Sequence, residues 1–448
     1  MKKLRKALCL VIASCMALSL AACNSNGNTD SSSQGNESAG SQTESTANGE
    51  GEPAELVFWD MPWGSSEYQN VAQGLIDDFM EEYPNIKVTY QSIPWDSSSV
   101  TFQTAVTSGT TLDVSTGPGF QSLQFHAMGK MIDVSDVMAE LEEEGTEWSA
   151  GTAEQFNVDG FQTALPFNVD PRGIFYRADW LEEAGLDVPT TWDELFEVME
   201  AMTHDDVYGM ALAGDNHWAF YQFMFGNGGA YVTEDQQANI NTPEVKGALE
   251  FYAKMRDSGV IPPGAAGSKE DDAKKMYMQG KAWCIPCGPD FGPVIEETSQ
   301  EVYDNTEVLP VLESPNGTVR SPMGMNGLMG YSDSKYPEAV KTFMKWWTLN
   351  NGALWEDGGM GAFPADTTKN ELPAIKDNKI KNFFAEEVMP HGCSLNYPSL
   401  SAFPAMSSLE GEDLARELST EVLGGNNDFD TILSDMNDRI QQIIDSNN

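Results

Sequence analysis

The sequence predicts an α/β protein in two lobes, each a sheet flanked by helices, with the chain crossing between them. Three observations carry this expectation. The chain has 448 residues, too many for one ordinary domain and suited to two large ones. From Glu55 onward, short apolar strand segments alternate with amphipathic helical ones, the order of a largely parallel sheet covered on both faces. In the middle lies LPFNVDPRGIFYRADW, Leu165 to Trp180. It opens as an apolar strand, breaks at a Pro/Gly turn between Asp170 and Gly173, and resumes with Ile174, Phe175 and Tyr176. A helical segment, RADWLEEAG, follows and stops at Gly185. Proline fixes one backbone angle and glycine frees another, which suits a strand that leaves one sheet for a second. An ordinary strand–turn–strand within one sheet fits the spacing equally well.

The chain begins with a targeting pattern. Lys2, Lys3, Arg5 and Lys6 precede Ala7 to Leu20, an apolar run too short to span a bilayer. It ends in Leu20-Ala21-Ala22-Cys23, which resembles the lipobox of bacterial lipoproteins. That resemblance implies a signal peptide over residues 1–22, cleavage before Cys23 and acylation of its thiol. The alternative is a plain signal peptide with an incidental cysteine. Residues 24–53 hold almost no apolar side chain and cannot bury enough surface to fold. Residues 23–53 therefore read as a disordered tether, with a reach of roughly 30 Å as a flexible coil. The expected location is the extracytoplasmic face of the cell membrane, with lipid as the only anchor.

The 25 Lys+Arg stand against 69 Asp+Glu, a net charge of −44. Loss of the leader leaves 21 cations and takes it to −48. A body this acidic repels phosphate backbones and anionic headgroups, so no nucleic acid partner is expected. Anionic solutes are disfavoured, although a local site can oppose the global field. Of six cysteines, Cys9 and Cys15 leave with the leader and Cys23 takes the lipid, so Cys284, Cys287 and Cys393 remain. Cys284-Ile-Pro-Cys287 has no second CxxC to complete a zinc site. Pro286 and Pro289 mark a loop where a redox pair would want a helix start. Structural thiols are expected, with a local disulfide left open. His126, His204, His217 and His391 are scattered without ligand spacing, so neither metal nor cofactor is expected.

In chain order, ELVFW at Glu55 to Trp59 reads as a strand. Val71 to Tyr83 places Val71, Leu75, Ile76, Phe79, Met80 and Tyr83 on one helical face. Asn85 to Ile93 alternates Ile86, Val88 and Tyr90 inward, Thr101 to Ser108 is a short helix, and Leu112 to Ser115 is a buried strand opening into Gly117-Pro118-Gly119. Thr191 and Glu194 have capping-box spacing before the stripe Leu195, Phe196, Met199 and Met202. Val207 to Leu212 is a strand, and Pro243 opens a helix that Gly259 stops. Ala282 to Ile285 is another strand. Met323 to Tyr331 and Gly358 to Pro364 are candidate further crossings, separated by a helix from Pro337 that carries Phe343 and Trp347. An amphipathic helix from Phe429 to Ile444 ends the chain.

Several strings fall in a recognisable order: LVFWD, EEYPNIKV, TLDVSTGPG, LPFNVDPRGIFYRADWLEEAGLDVPTTWDEL, VYGMAL, MYMQGKAW and SKYPEAVKTFMKWW. From about Glu55 to the C-terminus the chain resembles the family 1, maltodextrin-binding-like group of extracellular solute-binding proteins of ABC importers. The resemblance implies a type II periplasmic-binding-protein-like fold whose lobes hold ligand between them. It places lobe 1 at 54–168 plus 326–361 and lobe 2 at 172–322 plus 364–448. The CIPC string departs from the family pattern.

The 11 tryptophans supply the chemistry. Sugar rings have apolar faces, which flat aromatics match, and a hydroxyl rim, which carboxylates, amides and guanidinium groups satisfy. Candidate cleft residues are Asp60, Trp63, Trp95, Phe120, Asp170, Arg172, Trp218, Trp283, Asp290, Asn326, Trp355 and Tyr397. Core packing is the competing reading for each tryptophan, and Asp170 and Arg172 could simply pair as hinge structure. The leading expectation is a monomeric, non-enzymatic receptor that captures a carbohydrate, an oligosaccharide by preference, for an ABC permease. The alternatives are a secreted glycoside hydrolase and a receptor for an amino acid or peptide. An acid count is no evidence for the hydrolase in so acidic a chain.

Overall fold

The computed structural model describes residues 51–109, 112–399 and 402–447. The expected leader, Cys23 and the tether up to residue 50 lie outside the described residues. Eleven strands matter here: β1 (Ala54–Asp60), β2 (Ile86–Ser92), β3 (Val114–Pro118), β4 (Leu165–Pro171), β5 (Gly173–Arg177), β6 (Tyr208–Met210), β7 (Ala282–Cys287), β8 (Thr306–Val308), β9 (Ser321–Gly330), β10 (Phe363–Pro364) and β11 (Gly392–Cys393).

They form two main sheets. The first runs β10-β4-β9-β3-β1-β2, with β11 beside the start of β9. The second runs β8-β5-β7-β6. In the first sheet β1 pairs in parallel with β2 and β3, as the strand–helix alternation predicts. The long strand β9 then lies antiparallel to both β3 and β4, so the sheet is mixed. The chain leaves the first sheet at Pro171 and enters the second at Gly173, which makes Arg172 the single residue between them. That decides between the two readings of the central stretch. The whole of β9 stays in the first sheet, from Ser321 to Gly330.

Three apolar bodies hold these sheets. Trp59, Ile93, Phe102 and Phe125 pack on one face of the first sheet. Phe58, Ile76, Phe79, Phe343 and Trp347 pack on the other. There the rings of Phe343 and Trp347 meet Phe58 edge-on, with centroids 5.2 and 5.0 Å away. The same body continues through Phe175, Ile285, Phe291 and Phe384 beneath the second sheet. Ile174 and Tyr176, pointing the opposite way on β5, join a third body with Trp283 and the last helices.

The helices follow their sequence signals. Thr191 accepts from the Glu194 amide, as the capping spacing predicts, but the Glu194 carboxylate bonds Thr190 rather than Thr191. Thr242 caps the helix Pro243–Ser258, and Gly259 ends it in left-handed geometry at φ 76°. The expected short helix at Thr101 instead begins at Trp95, directly after Pro94. The CIPC segment is strand, not loop. Pro286 is tolerated because the neighbouring strand β6 stops at Met210, opposite Cys284, so no ladder bond needs the amide proline lacks.

Candidate functional site

The carboxyl ends of β1 and β7, one from each sheet, face a common cavity of about 370 Å³. Its walls are Pro62 to Ser65 after β1, Asp290, Pro293, Val294, Glu296 and Glu297 after β7, and Gly359 and Gly361 just before β10. Ligands of open α/β sheets sit outside such strand ends, where loops converge. A β-carbon at Gly361 would lie 2.2 Å from the Asp290 α-carbon, so the two walls touch there through bare backbone. Elsewhere the Gln155 amide donates to Asn396 Oδ1 at 2.9 Å, and Ser407 donates to Gln124 Oε1 at 2.8 Å.

On the first-sheet side, Trp63 and Trp95 meet edge to face with centroids 4.9 Å apart. Trp63 continues onto Phe167, 5.8 Å away. Trp95 is 45% exposed, the most open tryptophan ring of the group. Beneath them Asp60 is wholly buried. It accepts from Thr116 Oγ1, from the Met61 amide at 2.9 Å, from Trp63 Nε1 at 3.2 Å, and from the hydroxyls of Tyr68 and Tyr90 at 3.0 and 3.3 Å. Trp63 Nε1 also donates to Thr116 Oγ1 at 2.9 Å. Burial pushes the Asp60 carboxyl up to about 6, and these donors oppose the rise. Asp60 was an expected ligand contact. It is instead the post on which Trp63 hangs, because its oxygens are already taken by protein donors.

At the crossing between the sheets, Arg172 pairs with Asp170 of β4 and lays its guanidinium 4.3 Å from the Trp218 ring centroid. Trp218 sits in the first turn of the helix His217–Gly226, whose cap is Asn216 accepting from the Ala219 amide. A β-carbon at Gly288 would stand 2.6 Å from Asp290 Oδ1, 2.8 Å from Arg172 Nη1 and 3.1 Å from Asp170 Oδ1. Three charged side chains therefore converge over a residue that has none. Asp170 Oδ1, Asp290 Oδ1 and Arg172 Nε are buried atoms without a protein partner, the condition of groups that await one. Burial raises Asp170 to about 6 against the pull of Arg172. Lys274 closes the cluster, 2.9 Å from Glu270 and 3.7 Å from Asp290. Burial holds His217, beside Trp218, down to about 4.

The remaining candidates divide. Phe120 opens the helix Phe120–Ala127 and packs half-buried against the third apolar body. The Tyr397 hydroxyl accepts from Arg320 at 2.8 Å, and its ring lies under that guanidinium at 3.9 Å. Three expectations are corrected. Trp283 is fully buried against Tyr176, because its position on β7 points into the third body. Trp355 is buried beside Phe167 and donates to the Ala362 carbonyl at 2.6 Å. Asn326 is buried within the first sheet and donates to Asn168 at 2.7 Å. Sequence reasoning passed over Thr116, Lys274, Glu296, Glu297 and Arg320. For Glu296 and Glu297 a signal existed, since they follow Asp290 within one short helix, Phe291–Thr298.

Comparison with known proteins bears on this arrangement. A family model described as bacterial extracellular solute-binding protein matches residues 63–353. A putative binding protein of Brucella abortus is 24% identical over 267 residues, 57% of this chain and 61% of that protein. The match thus spans less than two thirds of that relative. The diacetylchitobiose binding protein DasA of Streptomyces coelicolor is 26% identical over 312 residues, 67% of this chain and 70% of DasA. Among solved structures, a sugar transporter protein from Arthrobacter chlorophenolicus with bound laminaribiose is 25% identical, with a TM-score of 0.77 over 87% of this chain and 99% of that one.

Proposed function

The chain belongs to the bacterial extracellular solute-binding proteins, and from that premise we propose that it captures a carbohydrate between its lobes and hands it to an ABC permease. The observation that carries this is a cavity lined by Trp63 after β1 and by Asp290 after β7, with the unpartnered atoms of Asp170 and Arg172 gathered beside Asp290 around Gly288. Trp63 and Trp95 offer flat apolar faces, while Asp170, Arg172 and Asp290 offer hydrogen bonds to hydroxyls. The laminaribiose and diacetylchitobiose bound by the two relatives support an oligosaccharide as guest. The lobes we assign as jaws are 54–168 with 326–361 and 172–322 with 364–448. Contacts from both jaws exist together only when the lobes are shut, so ligand shifts the population toward that form. The reading includes a monomer held at the membrane by a lipid on Cys23, for which the Leu-Ala-Ala-Cys motif is the support. Binding proceeds without turnover.

The test is a thermal-shift screen against neutral mono- and oligosaccharides, with chromatography of the ligand after incubation. A receptor is stabilised by at least one sugar and returns it intact. Stabilisation with cleavage would make the protein a hydrolase, and stabilisation by amino acids alone would replace the sugar.

A further inference from the structure

Resting on the carbohydrate reading, we infer that the cleft admits uncharged saccharides and rejects uronates, and that Asp290, Glu296 and Glu297 impose the choice. Three carboxylates and no cation stand among the residues that line the cavity. Cations beside these residues are already committed: Lys381 donates to the Met360 carbonyl, between the lining Gly359 and Gly361. Arg172 pairs with Asp170 and stacks on Trp218, and Lys274 faces both Glu270 and Asp290. None of the lining residues is a cation that could receive a carboxylate carried by the guest.

The orphan atoms give the same answer in hydrogen-bonding terms. Two are carboxylate oxygens, which accept, and one is a guanidinium nitrogen, which donates. A pair of sugar hydroxyls supplies both kinds of partner, since each hydroxyl donates once and accepts twice. A guest carboxylate could satisfy the Arg172 nitrogen alone and would face Asp170 and Asp290 as like charges. A guest ammonium could satisfy the oxygens and not the nitrogen. The three orphan atoms are buried, which strengthens every charge effect on them, while Glu296 and Glu297 at the exposed rim act through solvent and weaken with salt.

The experiment uses the full chain and matched ligand pairs. Thermal shift first identifies a neutral mono- or disaccharide that binds. Calorimetry then compares that sugar with its analogue oxidised at C6 from hydroxymethyl to carboxylate, at low ionic strength. The expected result is that the acid binds at least about tenfold more weakly. The Glu296→Gln/Glu297→Gln double variant and Asp290→Asn each narrow that ratio by about threefold or more. Both glutamates are exposed, so the double variant tests the charges without disturbing the fold. Equal or tighter binding of the acid overturns the charge rule and leaves the carbohydrate reading standing. So does a ratio that neither variant moves. Binding of no saccharide, neutral or acidic, overturns the carbohydrate reading and this inference with it.

Discussion

Asp60 commits its hydrogen-bonding capacity to five protein donors, and Trp63 is one of them. The two tryptophans of the first wall therefore differ in what they hold up. Trp95→Ala removes an exposed ring: affinity for a bound sugar falls about tenfold or more, and stability stays within about 0.5 kcal/mol. Trp63→Ala also takes a donor from a buried carboxylate, so it costs about 1–3 kcal/mol of stability as well. Calorimetric titration and thermal melts separate the two outcomes. A second buried acid, Glu410, accepts from Tyr221, and burial raises it to about 7. A raised carboxyl favours folding while protonated. Its contribution is complete below the unfolded value near 4.5 and is lost as pH climbs through about 7. Glu410→Gln removes that dependence, so relative to the parent the variant gains stability between pH 4.5 and 8, by about 2–3 kcal/mol. Melting curves across that range check the sign. At this scale sequence reading was weakest: nothing in FWDMPW tells that Tyr68, Tyr90 and Thr116 will close around its aspartate.

Elements were more legible, because periodicity reports which face is buried and caps report where helices begin. Thr191, Pro243 and Gly259 do in the structure what their spacing suggests. The break at Asp170 to Gly173 was visible as a turn, but whether it joined one sheet or two depended on pairing with β9 and β7, which no local pattern contains. CIPC misled for the opposite reason. Its proline reads as a loop signal unless the short length of β6 is known. As strand residues three positions apart, Cys284 and Cys287 stand about 10 Å from each other, beyond the reach of a disulfide. Both thiols are buried and free, as is Cys393. Alkylation of the native protein followed by peptide mapping leaves all three unmodified, and denaturation exposes them. A CIPC disulfide in the map would contradict the strand.

For the whole molecule, the informative feature is that the walls of the cavity meet through glycine. Gly361→Ala puts a methyl group into the Asp290 backbone, which has no flexible end to yield. The jaws are then held apart, sugar binding weakens by tenfold or more while the fold persists, and small-angle scattering shows a larger radius that ligand no longer reduces. Two lobes followed from length and element order, and a ligand-holding cleft between them from the family resemblance. The tight approach of its walls did not, since a glycine in GGMGAFP reads as a turn whether or not another backbone lies against it.

Arg172 is the only residue between two strands that are each tied into a ladder, and its guanidinium rests on Trp218. A swing of one lobe against the other that hinges at this residue turns its backbone and moves its guanidinium against the indole. The protein consequently contains an optical gauge of its own posture: the emission of Trp218, obtained as the difference between the parent and Trp218→Phe, changes on opening without any attached dye.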